Sequence, residues 1–406
     1  MLMISPADLE RITALSNKGK ESARAFLQKR EIYAQVKDHL GERIFVGLAG
    51  LRGVGKTILL RQLADELPDS VYLSADLLEN IADLFELAQQ LEEDYQTKYL
   101  LVDEIHGFPN WQKELKKIFD FLRIQVIFTS SSALSILESR ADLSRRVVVL
   151  SMPAFSFREF LRFSKKKEIA PLELESILRN PKEAYRRLHE YEPYFAPFCT
   201  GNILPSYLNA PRSQTVLNIL EKIVRQDLPA ISKLGQDDTV HIMRMLRFIG
   251  VSGVDGINYS SISSNCAIPK HKVIEYAALL QKAFVLQIIL PAGSNVLKEP
   301  KILLALPFRS HLASGAPSDM LAGAQREEFF VHHMSAFHLN YLKGRRGEKL
   351  ADYLLIHKGK KFVFEIGGAG KTAEQFKGID AEGKFILSQP GNIKKGIPLI
   401  LFGFLA

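Results

Sequence analysis

The chain has 406 residues, 47 % hydrophobic and 24 % charged, and carries a formal net charge of +8. That mixture describes a globular protein of two or three domains and excludes a disordered or low-complexity chain. Two cysteines, Cys199 and Cys266, exclude a disulfide framework and a four-cysteine zinc site, and fit a reducing compartment. No apolar run reaches the roughly 18 residues of a membrane span. The start "MLMISPADLERIT" lacks a basic-then-apolar leader. The expectation is a cytoplasmic protein with no membrane partner. The basic balance makes nucleic acid a candidate partner and says nothing about fold.

In chain order, residues 1–40 read as a polar helical lead-in, with "ESARAFLQKREIYAQVKDHL" spacing apolar residues as on a helix face. Over 41–155, the strand-like runs "RIFVGLA", "VYLSA", "YLLVDE", "QVIFTS" and "RVVVLS" alternate with helix-like stretches. That alternation predicts a parallel sheet covered by helices on both faces. Residues 156–237, opening with "SFREFLRFSKKK", read as a helical subdomain. Residues 238–310 give three short helices, then two strands, "VLQIILP" and "PKILLALP", the pattern of a winged helix-turn-helix. The block 320–406 reads as a helix, "AQREEFFVHHMSAF", followed by the strands "KLADYLLIHK", "KKFVFEI", "KFILS" and "PLILFGF". It predicts a small α/β domain.

The stretch "GLRGVGKT" comprises Gly50, Leu51, Arg52, Gly53, Val54, Gly55, Lys56 and Thr57, and fits the phosphate-loop pattern in full. A strand leads in and a helix leads out, the setting in which loop N–H groups and a helix N-terminus converge on phosphates. Lys56 would reach the β- and γ-phosphates of ATP, and the Thr57 hydroxyl would hold Mg²⁺. Further on, "KYLLVDEIHGFPNW" is an apolar strand ending in Asp103 and Glu104. Asp103 is expected to serve Mg²⁺ and Glu104 to act as general base toward water. The next strand ends in Thr129, Ser130, Ser131 and Ser132. The first three are candidate γ-phosphate sensors, with helix capping the competing role. A helicase is disfavoured, because no second phosphate-loop core follows.

Together, "GLRGVGKT", "LLVDEIHGFPNWQKELKKIFD", "IFTSSSAL" and "DLSRRVVVLSMPAFSFREFL" resemble the AAA-type ATPases of archaea and bacteria that carry a C-terminal domain of unknown function. The resemblance implies an additional-strand core in which the Asp103 strand is separated from the phosphate-loop strand. It also makes Arg145 and Arg146 candidates for a charge-stabilising arginine, acting in cis or from a neighbouring copy. This chain has Thr-Ser-Ser where that family usually has Thr-Gly-Ser.

A second Gly-Lys-Thr, in "FEIGGAGKT", has Glu365 where the first glycine of a phosphate loop belongs, so it is read as a glycine-rich loop after a strand. The resemblance implies a restriction-endonuclease-like domain here, with Asp352 on one strand, Glu365 on the next, Glu328 as a third acid and Gln375 in the following helix. Gly367 stands where the nuclease lysine belongs, with Lys371 further along, so the domain is expected to have lost catalysis. Lys270, His271 and Lys272 open the candidate recognition helix and make DNA a partner to test. A partner protein or a homo-oligomer is the other possibility. The functional expectation is an Mg²⁺-dependent ATPase whose nucleotide state rearranges its C-terminal domains. The alternatives are a nucleotide-gated binding protein with negligible turnover and an ATP-regulated nuclease.

Overall fold

The computed structural model describes residues 4–77, 83–130, 143, 145–200, 213–293, 299–313, 317–342, 350–367, 373–388 and 396–405. The chain divides into two compact units, Met1–Ala154 and Phe155–Ala406.

The first unit is built on five strands: β1 (Phe45–Gly50), β2 (Ser70–Ser74), β3 (Tyr99–Asp103), β4 (Gln125–Ser130) and β5 (Val147–Met152). They lie in the order β2-β3-β4-β1-β5 and every pairing is parallel. All six residues of β1 and of β4 are buried, as strands covered on both faces require. The surrounding helices are α1 (Pro6–Ala23), α2 (Ile32–Asp38), α3 (Lys56–Glu66), α4 (Leu84–Tyr95) and α5 (Trp111–Phe121). Ser5 caps α1, Asp83 caps α4, and Trp111 of α5 packs on Phe128 with ring centroids 5.8 Å apart. Gly50 is demanded by sheet geometry as well as by the loop. A Cβ there would lie 2.3 Å from the carbonyl oxygen of Met152 on β5.

The lead-in comprises two helices, α1 and α2. The helix ends at Ala23, and the amide of Gln62 on α3 takes up the carbonyls of Phe26 (2.6 Å) and Gln28 (3.1 Å). The break lets buried Arg30 donate to the carbonyls of Val54 (2.6 Å) and Pro153 (2.8 Å). It thereby ties the loop after β1 to the segment after β5.

The second unit opens with α6 (Phe157–Lys165), started by a reciprocal capping box between Ser156 and Glu159. The Phe157 N–H donates to Nε2 of His333, whose Nδ1 lies 2.8 Å from the Phe329 carbonyl. Burial pushes His333 well below the ordinary histidine range, matching a neutral ring that accepts at one nitrogen and donates at the other. Further helices include α7 (Gln236–Val251), α8 (Tyr259–Cys266), α9 (Lys270–Lys282) and α10 (Ser318–His333). Between α9 and α10 lie β6 (Leu286–Ile289) and β7 (Lys301–Leu304), an antiparallel pair. The final sheet comprises β8 (Leu339–Tyr341), β9 (Tyr353–His357), β10 (Lys360–Ile366), β11 (Gly383–Ser388) and β12 (Ile397–Pro398), ordered β12-β11-β10-β9-β8. The β8–β9 and β9–β10 pairs are antiparallel, and the β10–β11 and β11–β12 pairs are parallel.

"PLILFGF" departs from its expected strand. Only Ile397–Pro398 pairs, and Leu399–Phe404 forms 3₁₀ turns buried at every residue. An apolar run buried on all sides carries no period to separate strand from helix. Phe404 instead meets Phe157 edge-on at 5.4 Å, and a Cβ on Gly403 would come within 2.8 Å of both Phe157 and Phe329.

One buried charge organises the helices of this unit. The guanidinium of Arg309, 1 % exposed, donates to Glu328 (2.7 Å) and to the carbonyls of Ile249, Gly250 and Ser252, closing the C-terminal end of α7. Arg309→Leu leaves Glu328 buried without its partner and these carbonyls without their donor. The variant is expected to lose about 3–5 kcal/mol in chemical denaturation of the full chain.

Candidate nucleotide site and acidic cluster

The loop between β1 and α3 takes a shape only glycine adopts readily, with φ of +82° at Gly53 and +98° at Gly55. Lys56 is the first residue of α3 and is buried. Its ammonium donates to the carbonyls of Gly50 (2.8 Å) and Leu51 (3.1 Å), so it lies folded against the loop that contains it. Thr57 follows in the first turn of α3. N–H groups at the start of an 11-residue helix, a lysine and a hydroxyl form a cradle suited to a polyphosphate and its cation.

Asp103 ends β3 and is 4 % exposed. Its carboxylate accepts from the hydroxyls of Thr129 (2.5 Å) and Tyr72 (3.3 Å). The Thr129 hydroxyl also accepts the Glu104 N–H at 3.1 Å. One β4 side chain therefore holds both acidic positions. Glu104 stands in the left-handed region at φ +55°, a strained conformation for a non-glycine residue. His106 Nδ1 lies 3.3 Å from the Glu104 carboxylate and 3.0 Å from the Ser130 hydroxyl. Ser131 and Ser132 lie outside the described residues. Tyr72 was not legible as a site residue, and nothing in "VYLSA" marks it.

Arg145 and Arg146 do not reach this site within their own chain. They precede β5, whose first residue Val147 pairs with Phe45 while its last, Met152, pairs with Gly50 beside the loop. That places them roughly 20 Å away, at the opposite edge of the sheet. Arg145 is exposed, and Arg146 makes a fork with Asp120 at 3.0 Å to each oxygen.

In the second unit, Asp352 directly precedes β9 and accepts the Ile366 N–H at 2.7 Å, which brings it beside Glu365, buried on β10. Gln375 sits in a 3₁₀ turn, and its carbonyl accepts the Ala351 N–H. Lys371 lies outside the described residues. Glu328, expected as a third acid, pairs with Arg309. It is spent on Arg309 and the Leu304 N–H, and burial pushes its carboxyl up to about 7. Its neighbour Glu327 takes the place beside Asp352, because adjacent helical residues point about 100° apart and only one can face the sheet. Oxygens of Asp255, Glu327 and Asp352 lie within 4.8 Å of one another. Lys301 of β7 joins them, 2.5 Å from Glu327 and 3.2 Å from Asp255, and the Tyr353 hydroxyl donates to Glu327 at 2.9 Å. Neither Lys301 nor Asp255 carried any sequence signal.

The basic start of α9 is already neutralised within the segment. Lys270 pairs with Glu299, and Lys272 lies 3.1 Å from Glu275 and 3.5 Å from Asp238.

Residues 42–161 match the model of a family described as an AAA domain. The five parallel strands of the first unit all fall within this stretch. An uncharacterized protein of Methanocaldococcus jannaschii is 27 % identical over 395 residues, covering 88 % of this chain and 82 % of its own length. An uncharacterized protein of Haemophilus influenzae is 26 % identical over 279 residues, covering 63 % of this chain and 65 % of its own. The solved structure of the Aeropyrum pernix ORC1 protein in complex with DNA shares 14 % identity over 74 % of this chain and 93 % of that one. Its TM-score of 0.26 is too low to bear on function. Among the described residues, no helix is long and apolar enough to cross a membrane.

Burial, then the Glu327 charge, pushes the Asp352 carboxyl up to about 8. The folded chain therefore keeps a proton there that the unfolded chain releases near pH 4, and its stability falls as pH rises between those values. Asp352→Asn is expected to flatten this decline between about pH 5 and about pH 8, read by urea unfolding at each pH.

Proposed function

We propose that the protein binds ATP with Mg²⁺ at the loop between β1 and α3, hydrolyses it, and uses the nucleotide state to rearrange C-terminal segments that dock a partner. The observation that carries this reading is the convergence of Lys56, Asp103 and Glu104 on the carboxyl edge of one parallel sheet, with Thr129 bonded to both acidic residues. Lys56 would leave the loop carbonyls for the β- and γ-phosphate oxygens. Thr57 and Asp103 supply the hard oxygen donors that suit Mg²⁺, which when bound neutralises phosphate charge. Glu104 takes the proton of the attacking water, with His106 and Thr129 fixing its position. Thr129 and Ser130 stand at the end of β4, where a change at the γ-phosphate would be felt.

For the C-terminal segments, three helices followed by the β6–β7 pair support a winged-helix reading. The mixed sheet with Asp352 and Glu365 supports a nuclease-like domain without catalysis. Lys270 and Lys272 are held by carboxylates of the same segment, so a partner protein is favoured over duplex DNA. A second reading, nucleotide-gated binding with little turnover, is favoured by Arg145 and Arg146 lying at the amino end of β5, away from the loop, where neither stabilises phosphate charge within this chain.

Steady-state ATP hydrolysis tests the proposal. Lys56→Ala is expected to lower turnover at least about 10²-fold, and Glu104→Gln to keep ATP binding while slowing hydrolysis by about 10²–10⁴-fold. Parent-like hydrolysis by Glu104→Gln would remove the base assignment. ATP binding without turnover in the parent would select the second reading. Acceleration by duplex DNA would reverse the preference for a protein partner.

A further inference from the structure

Arg30 lies between α1 and α2, outside any regular element, and is 7 % exposed. A guanidinium is rarely buried unless acceptors meet its donors. Here Nη1 donates to the Val54 carbonyl at 2.6 Å and Nη2 to the Pro153 carbonyl at 2.8 Å. A planar fork can hold two acceptors from different segments at once, which a single ammonium does less well.

The two acceptors report on different things. The Val54 carbonyl belongs to the peptide unit whose N–H is that of Gly55, the last loop residue before Lys56, held at φ +98°. The oxygen and the N–H of one peptide unit share a resonance system. A cation at the oxygen therefore makes the N–H a stronger donor, and an anion at the N–H makes the oxygen a stronger acceptor. Pro153 follows Met152, the β5 residue paired with Gly50 at the start of the loop. The first unit ends one residue later, at Ala154. Beyond that residue, the Phe155 carbonyl accepts from Nε2 of His332 on α10 at 3.0 Å, and the Phe157 N–H donates to His333 of the same helix. Along the chain, Ala154 alone separates a carbonyl held by Arg30 from one held by α10.

We propose that Arg30 couples the phosphate loop to the segment that leaves the first unit, so that phosphate at the Gly55 N–H tightens its hold on that segment. This deepens the proposed function and rests on nucleotide binding at the loop. A phosphate there polarises the Val54–Gly55 peptide and strengthens the bond to Nη1, which fixes the guanidinium and with it the Pro153 carbonyl. In return, Arg30 makes the Gly55 N–H a better donor to phosphate. Coupling of this kind is reciprocal, so a partner that shifts the segment through α10 changes nucleotide affinity by the same factor. Arg30 is a positioning residue, acting through the loop backbone.

The test uses the full chain with Mg²⁺ and adenylyl imidodiphosphate, an ATP analogue that resists hydrolysis. Affinity is read by calorimetry, and the segment by hydrogen–deuterium exchange of peptides spanning residues 152–160. In the parent chain the analogue is expected to bind and to slow exchange across this segment. Arg30→Gln is expected to weaken binding at least about fivefold and to abolish the slowing even at saturation. Arg30→Lys, which keeps the charge without the fork, is expected to recover part of the affinity and none of the slowing. A residue needed only for packing would lower stability yet leave the slowing in place once nucleotide is bound. A folded Arg30→Gln chain with parent affinity, or with parent slowing at saturation, therefore overturns the proposal. A parent chain that binds the analogue without slowing exchange overturns it too, while leaving the nucleotide site standing. A parent chain that binds no analogue removes that site, and the coupling with it. If Arg30→Gln fails to fold, Arg30→Lys decides, and slowing at saturation in that variant overturns the proposal.

Discussion

A parallel sheet sends every strand's carboxyl end to one edge, and the chemistry available to the first unit depends on that constraint. β4 lies between β1 and β3, so the loop lysine and the acidic pair stand two strands apart with Thr129 between them. The same geometry removes Arg145 and Arg146 from consideration within one chain. They lead into a strand of the same direction, so they must sit at its amino end. Arg30 complements the arrangement by bonding the loop after β1 and the segment after β5 at once.

The second unit is organised differently, by charges removed from water. Arg309 and Glu328 close one helix end, while Lys301 and Glu327 join a short hairpin strand to α10. Two consecutive glutamates thus serve two separate ion pairs. Burial raises the cost of leaving either one incomplete, so these pairs constrain how the helices, hairpin and sheet fit together more than they add to net stability.

Local signals made the first unit legible. The loop pattern, the acidic strand end and the alternation of strands and helices lie within short stretches, each readable without knowledge of distant contacts. The long-range contacts were not legible. Nothing in "VYLSA" says that the Tyr72 hydroxyl meets Asp103, because that depends on β2 pairing with β3. Glu327 and Glu328 look equivalent in "QREEFF", and only packing decides which faces the sheet. Lys301 is separated from Asp352 by 51 positions, beyond any motif. The helix break after Ala23 was hidden because the apolar spacing continues through it, while the carbonyls it exposes are met by Gln62 on another element.

The buried turns at Leu399–Phe404 have a consequence for the order in which the protein is made. Phe404 packs on Phe157, and Leu172 forms a bridge with Leu405, so the earliest and latest segments of the second unit share one core. While the ribosome is still adding the residues between them, α6 has part of its aromatic face uncovered. The first unit has no such wait, since its sheet is complete once β5 has emerged. During synthesis the first unit is therefore complete while the phenylalanine cluster of the second stays exposed until Phe404 is added.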